Sequence, residues 1–127
     1  MPRCLPTVMA ALALSVPLLV AAQVVRPIPT QSLRGEMVFG QPPEVLLNGQ
    51  VVRLAPGARI KDPNNMLVLS GALVGQKVIA NYTADPYGLL MDVWVLNERE
   101  LAKPWPKTPE EAATWVYDLV SQTWIKP

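Results

Sequence analysis

Asn81, Asp92 and Trp94 are the residues whose types and spacing come nearest to a binding site. The runs "QKVIANYTA" and "LLMDVWVLN" flank "DPYG", Asp85 to Gly88, a proline-and-glycine turn between two apolar stretches. A four-residue loop there sets Ala84 opposite Leu89, Asn81 opposite Asp92 and Ile79 opposite Trp94. Val78, Ala80, Tyr82, Met91, Val93 and Val95 then make one apolar face. Ile79, Asn81, Thr83, Leu90, Asp92 and Trp94 make the other. A flat ring offers contact area, and the amide and carboxylate beside it offer direction, a combination suited to a sugar or a peptide. The competing use of this face is packing. An apolar helix stripe docked on it would bury Trp94 and remove the patch.

Other chemistry is poorly supplied. The chain has no histidine, and Cys4 is its one cysteine. A carboxylate pair for hydrolysis must be held across a cleft, and the candidates are Asp85, Asp92, Glu98 and Glu100. Asp85 reads as a turn residue, and Glu98 and Glu100 as a solvated strand end. No Ser-x-x-Lys spacing and no Gly-rich phosphate loop occurs. The expectation is therefore no catalytic residue, no metal and no cofactor, with a hydrolase working through Asp92 and Glu98 as the enzymatic alternative.

The first 22 residues read as a secretory signal peptide. Arg3 precedes an apolar body, and Val20, Ala21 and Ala22 suit a cleavage site before Gln23. The stretch from Leu5 to Val25 is long enough for an uncleaved anchor, but Pro6 and Pro17 interrupt it. Export would remove Cys4 and Arg3, leaving ten basic and ten acidic side chains. Such neutrality argues against nucleic acid and against an electrostatic hold on a membrane surface.

Residues 23–31, with Pro27 and Pro29, read as an extended leader, its first residues a loose tether. A single domain, 32–127, follows. "SLRGEMVF" alternates at period two, with Leu33, Gly35, Met37 and Phe39 on one side. "EVLLNGQVVRL" is a hairpin with a type I′ turn at Asn48-Gly49, pairing Leu47 with Gln50 and Glu44 with Arg53. "APG" at 55–57 reads as a turn and "SGALVG" at 70–75 as a helical turn or tight corner. At the end, Thr108, Pro109 and Glu111 make a capped helix start. Ala112, Trp115, Val116, Leu119 and Val120 recur as one stripe, predicting a helix from about Pro109 to about Gln122. Seven of the eight aromatics follow Asn81; they either cover the core or form a ligand surface.

The run "LRGEMVFGQPPEVLLNGQVVRLAPGARIKDPNNMLVLSGALVGQKVIANYT" resembles an uncharacterised family of small exported proteins of β-proteobacteria, over about Leu33 to Leu96. Its plan of strand, Asn-Gly hairpin, "GALVGQKV" and second hairpin is also similar to OB-like small secreted β-barrel domains. The resemblance implies a Gram-negative periplasm and brings no catalytic residues. The sequence thus predicts a small antiparallel OB-like barrel or curled sheet of five to six strands with one C-terminal α-helix. The function expected is a periplasmic, non-enzymatic binding or accessory module contacting an envelope protein or glycan. A plain structural envelope protein is a further alternative. Export with cleavage predicts that intact-mass measurement of the periplasmic product finds a chain starting at Gln23; a full-length, membrane-retained product would overturn it.

Overall fold

The computed structural model describes residues 25–127, so the expected signal peptide and its cleavage site lie outside the described residues. Six strands form the main sheet: β1 (Leu33–Phe39), β2 (Glu44–Leu47), β3 (Gln50–Lys61), β4 (Leu67–Val68), β5 (Lys77–Ala84) and β6 (Leu90–Val95). Hydrogen bonding runs β2-β1-β5-β6-β3-β4, and β2 also pairs with β3. That extra pairing closes β1, β2, β3, β6 and β5 into a five-stranded OB-like barrel, with β4 as an added strand on β3. One pairing departs from an all-antiparallel expectation. A closed ring with an odd number of strands cannot alternate direction all the way round, and the parallel seam falls between β3 and β6.

The period-two pattern of β1 places Met37 and Phe39 inside, where they meet Val45, Ile60, Ala80, Leu90, Val93 and Val95. Each large side chain fully buried there is worth about 1.5–3 kcal/mol over exposure. The Asn-Gly hairpin has the predicted register, Glu44 with Arg53 through Leu47 with Gln50. Asn48 and Gly49 have φ of 52° and 83°, as a type I′ turn requires. Asn48 does more than turn the chain. Its N–H donates to the Glu36 carbonyl at 2.8 Å, and its Oδ1 accepts from the Glu36 N–H at 2.9 Å. The hairpin tip thereby extends the pairing of β1 past the end of β2.

"APG" is not a chain reversal. β3 runs through it as one 12-residue strand, bending where Gly57 has φ of 79° and the register with β6 shifts between Leu54 and Arg59. The bend lets the strand's first half pair with β2 and its second half with β4 and β6. Residues Ser70–Leu73 form a 3-10 turn, as the small-residue corner suggested.

The second hairpin departs from the loop count. Ala84 pairs with Leu90, so five residues connect the strands, and Thr83 pairs with Asp92, so Met91 is an extra bulged residue. Asp85 builds the longer loop, its Oδ1 accepting from the N–H groups of Tyr87 and Leu89. The pairing moves two residues along: Asn81 opposes Trp94 rather than Asp92, and the Leu96 N–H reaches the Ile79 carbonyl. A shift of two keeps each remaining residue on its expected face. The exceptions are Leu90, before the bulge, which joins the core, and Met91, in it, which leaves the expected apolar face and is exposed.

The C-terminal helix is short. Thr108 Oγ1 accepts from the Glu111 N–H as predicted, but the helix α2 spans only Pro109–Thr114. The chain then forms a separate hairpin, β7 (Val116–Asp118) and β8 (Thr123–Ile125). The predicted stripe fails because Leu119 and Val120 are 80% and 95% exposed. Trp115, Val116 and Tyr117 favour a strand by their shapes. Asp118 then turns the chain, its carboxylate accepting from Val120 N–H and Ser121 Oγ. A helix was also missed. Glu98 and Glu100, read as a strand end, belong to α1 (Glu98–Leu101), where Asn97 and Glu100 complete a reciprocal capping box.

The hairpin geometry predicts that Gly49→Val, which forces a β-branched residue to positive φ, lowers stability by on the order of 1 kcal/mol or more. Thermal unfolding checks this, and an unchanged melting temperature would contradict the turn.

Candidate functional site

On the outer face of the barrel Arg34, Asn81, Trp94 and Lys61 stand side by side, each paired with the next across β1, β5, β6 and β3. Asp92 follows Trp94 on the same face of its strand, opposite Thr83 and Arg59. The three residues singled out in the sequence are therefore neighbours. They do not form an open patch. Asn81 is fully buried and Trp94 is 8% exposed. Asn81 Oδ1 accepts from Arg34 Nε at 3.2 Å, and its amide donates to Ser32 Oγ at 3.2 Å. Its polar atoms are spent inside the protein, and the recognition role expected of it fails on burial.

The burial comes from two segments laid over this face, the leader and the chain after β6. The leader was expected to be loose at its start, yet Arg26 is buried within it. Arg26 Nε and Nη2 each reach one carboxylate oxygen of Glu100 at 2.9 Å. Nη1 donates to the Asp62 carbonyl and Nη2 also to that of Val95. Side-chain exposures of 2% and 14% make this a desolvated pair. Glu100 Oε1 also accepts from the Asn97 N–H, so one carboxylate holds both α1 and the leader. Trp105 closes the other side. Its Nε1 donates to the Ser32 carbonyl at 2.7 Å, and the Arg34 N–H donates to the Pro106 carbonyl at 2.9 Å.

Arg34 lies under this cover. Its guanidinium donates to Asn81 and to the carbonyls of Lys103 and Glu100, and it sits 5.9 Å from the Trp105 ring. Burial lowers the Arg34 pKa from its usual value, with the Glu100 charge acting the other way. Beyond Trp105 the last hairpin packs its inner pair, Tyr117 and Trp124, edge-on at ring centroids 5.4–6.4 Å apart. These are the favourable tilted arrangements. Aromatic residues of the C-terminal third are thus divided: Trp94, Trp105 and Trp124 are buried, and Tyr87, Trp115 and Tyr117 keep exposed surface.

Two cavities open beside this cover and share Arg34, Lys103 and Trp105 as a common wall. The first, of about 250 Å3, lies between the leader and Tyr117 and is also reached by Arg99. The second, of about 350 Å3, lies against Trp115 and is also reached by Lys107 and Lys126. Lys126 Nζ sits 5.0 Å from the Trp115 ring centroid. Of the ten basic side chains in residues 25–127, six line these cavities, as against two of the ten acidic ones, Glu100 and Glu111. Among the described residues the ion pairs are Arg26–Glu100 and Lys77–Glu36, so the charged groups of Arg99, Lys103, Lys107 and Lys126 are in no ion pair, although the Lys107 backbone N–H donates to a Glu111 carboxylate oxygen at 3.1 Å. Residues 25–127 are neutral in sum but not in distribution.

The sequence reading passed over Arg26, Arg34 and the three lysines. Only Arg34 carried a signal, a charge in the middle of a strand. The described residues hold no cluster of three or more acidic, histidine or cysteine side chains fit for a metal, and no helix among them is long and apolar enough to cross a membrane. No family model, no curated protein and no solved structure matches the chain. Function must be argued from the cavities themselves.

The doubly hydrogen-bonded ion pair generates a stability prediction. Arg26→Ala strands a buried carboxylate and should cost about 3–5 kcal/mol. Denaturant unfolding measures it, and a loss of only a few tenths would mean that the leader does not hold the cover.

Proposed function

We propose that the protein is an exported periplasmic binding module without catalytic activity, acting by contact with an envelope protein or polymer through the two cavities around Trp105. The observation that carries this reading is the concentration of cations outside any ion pair beside half-buried rings, on a domain that is neutral only in sum. Such a surface attracts an anionic partner locally, while the domain as a whole exerts little long-range field. Leader and signal pattern support the compartment, since a basic start, apolar body and small-residue site precede the folded part. The hydrolase alternative draws no support from geometry, because Asp92 lies on the barrel face and Glu98 at the exposed start of α1, with neither lining a cavity.

The test is retention of envelope material by the immobilised protein. Wild-type protein should retain a component of periplasmic extract or envelope fragments. A variant carrying Lys103→Glu, Lys107→Glu and Lys126→Glu, with its fold checked by circular dichroism, should release it. Equal retention by the two would rule out the cavities as the contact surface.

A further inference from the structure

Resting on that binding reading, we infer that the partner group is a short acidic saccharide segment, two sugar-sized units long, seated across the Lys103–Trp105 wall with one unit in each cavity. Each cavity has one half-exposed ring of its own, Tyr117 in the first and Trp115 in the second. Each has cations of its own outside any ion pair, Arg99 in the first and Lys107 with Lys126 in the second, where Lys126 lies over one face of the Trp115 ring. Lys103 and Arg34 face both. A site that repeats ring plus cation on two sides of a shared wall matches a ligand that repeats ring plus anion. Volumes of about 250 and 350 Å3 each suit one pyranose-sized unit.

Nucleic acid also repeats a ring and an anion, and charge outside the cavities decides against it. Removing the cavity residues leaves four basic and eight acidic side chains on the rest of the described chain, a net charge of −4. A uniformly charged polyanion longer than the cavities would find few further cations to pair with. A polymer whose charge is confined to a short segment needs none. Acidic sugar units supply such a segment, with carboxylates for the lysines and C–H faces for the rings.

Calorimetric titration of the exported protein decides the matter, with trigalacturonate, maltotriose and a thymidine trinucleotide as probes. Trigalacturonate should bind, and more weakly as ionic strength rises. Maltotriose should give no measurable heat. The folded variant with Lys107→Glu and Lys126→Glu should bind trigalacturonate about tenfold or more weakly. Tighter binding of the trinucleotide, equal binding of maltotriose, or unchanged affinity of the variant would each overturn the inference. If trigalacturonate fails while envelope material is still retained in a lysine-dependent way, the saccharide assignment falls and the binding reading stands. If both fail, both fall.

Discussion

Five strands closed into a ring must leave two neighbours running the same way. That constraint fixes more of this molecule than any single contact. The parallel pair is β3 and β6, and parallel strands cannot be joined by a tight turn. The chain therefore leaves β3 at Lys61 and returns only through β4, the 3-10 turn and β5. The same closure sets Lys61 beside Trp94, and through it Asn81 and Arg34, in a row across the outside of the barrel. That row of an indole, an amide and a guanidinium lies under the leader and the chain after β6. That cover has polar atoms in matching places.

The cover is short on regular structure and rich in charge-assisted bonds. Arg26 and Arg34 are fixed largely by carbonyl oxygens at the ends of short elements or between them, those of Asp62, Val95, Glu100 and Lys103. A planar guanidinium with several donors is the side chain best able to gather such carbonyls. Only one of the two, Arg26, has a carboxylate partner. Arg34 keeps its charge among neutral acceptors, and that charge remains felt at the shared wall of both cavities. The construction of the cover thus leaves an electropositive site as its consequence.

Much of the barrel was legible because its signals are local. The Asn-Gly turn specifies its own register, and period two specifies the inner face of β1. The errors arose where one residue changes the count. The Asp85 loop takes in one residue more than its Pro-Tyr-Gly signature implies, and Met91 bulges, so pairing moved while facing mostly survived. After Thr108 the helix signals were real but ended within two turns. A stripe at three and four residues cannot distinguish a helix from a strand followed by a turn when its members are Trp115, Val116, Leu119 and Val120. The candidate site was least legible. Asn81, Asp92 and Trp94 were placed on one face correctly, but nothing local says that Arg26, 55 residues before Asn81, closes over that face.

Neutrality summed over residues 25–127 is a weaker constraint than it looks. Ten cations against ten carboxylates excludes a strong net field, and with it the long-range capture of a polyanion. It does not limit how the charges are placed. Here folding gathers residues from the leader, β1, α1, the segment after it and the last four residues of the chain to one end of the molecule. Screening cuts such fields off within about 8–10 Å in salt, so a ligand in the cavities meets that cluster and not the chain's sum. Outside the cavities the described residues keep four cations against eight carboxylates, so few cations remain to hold a longer polyanion.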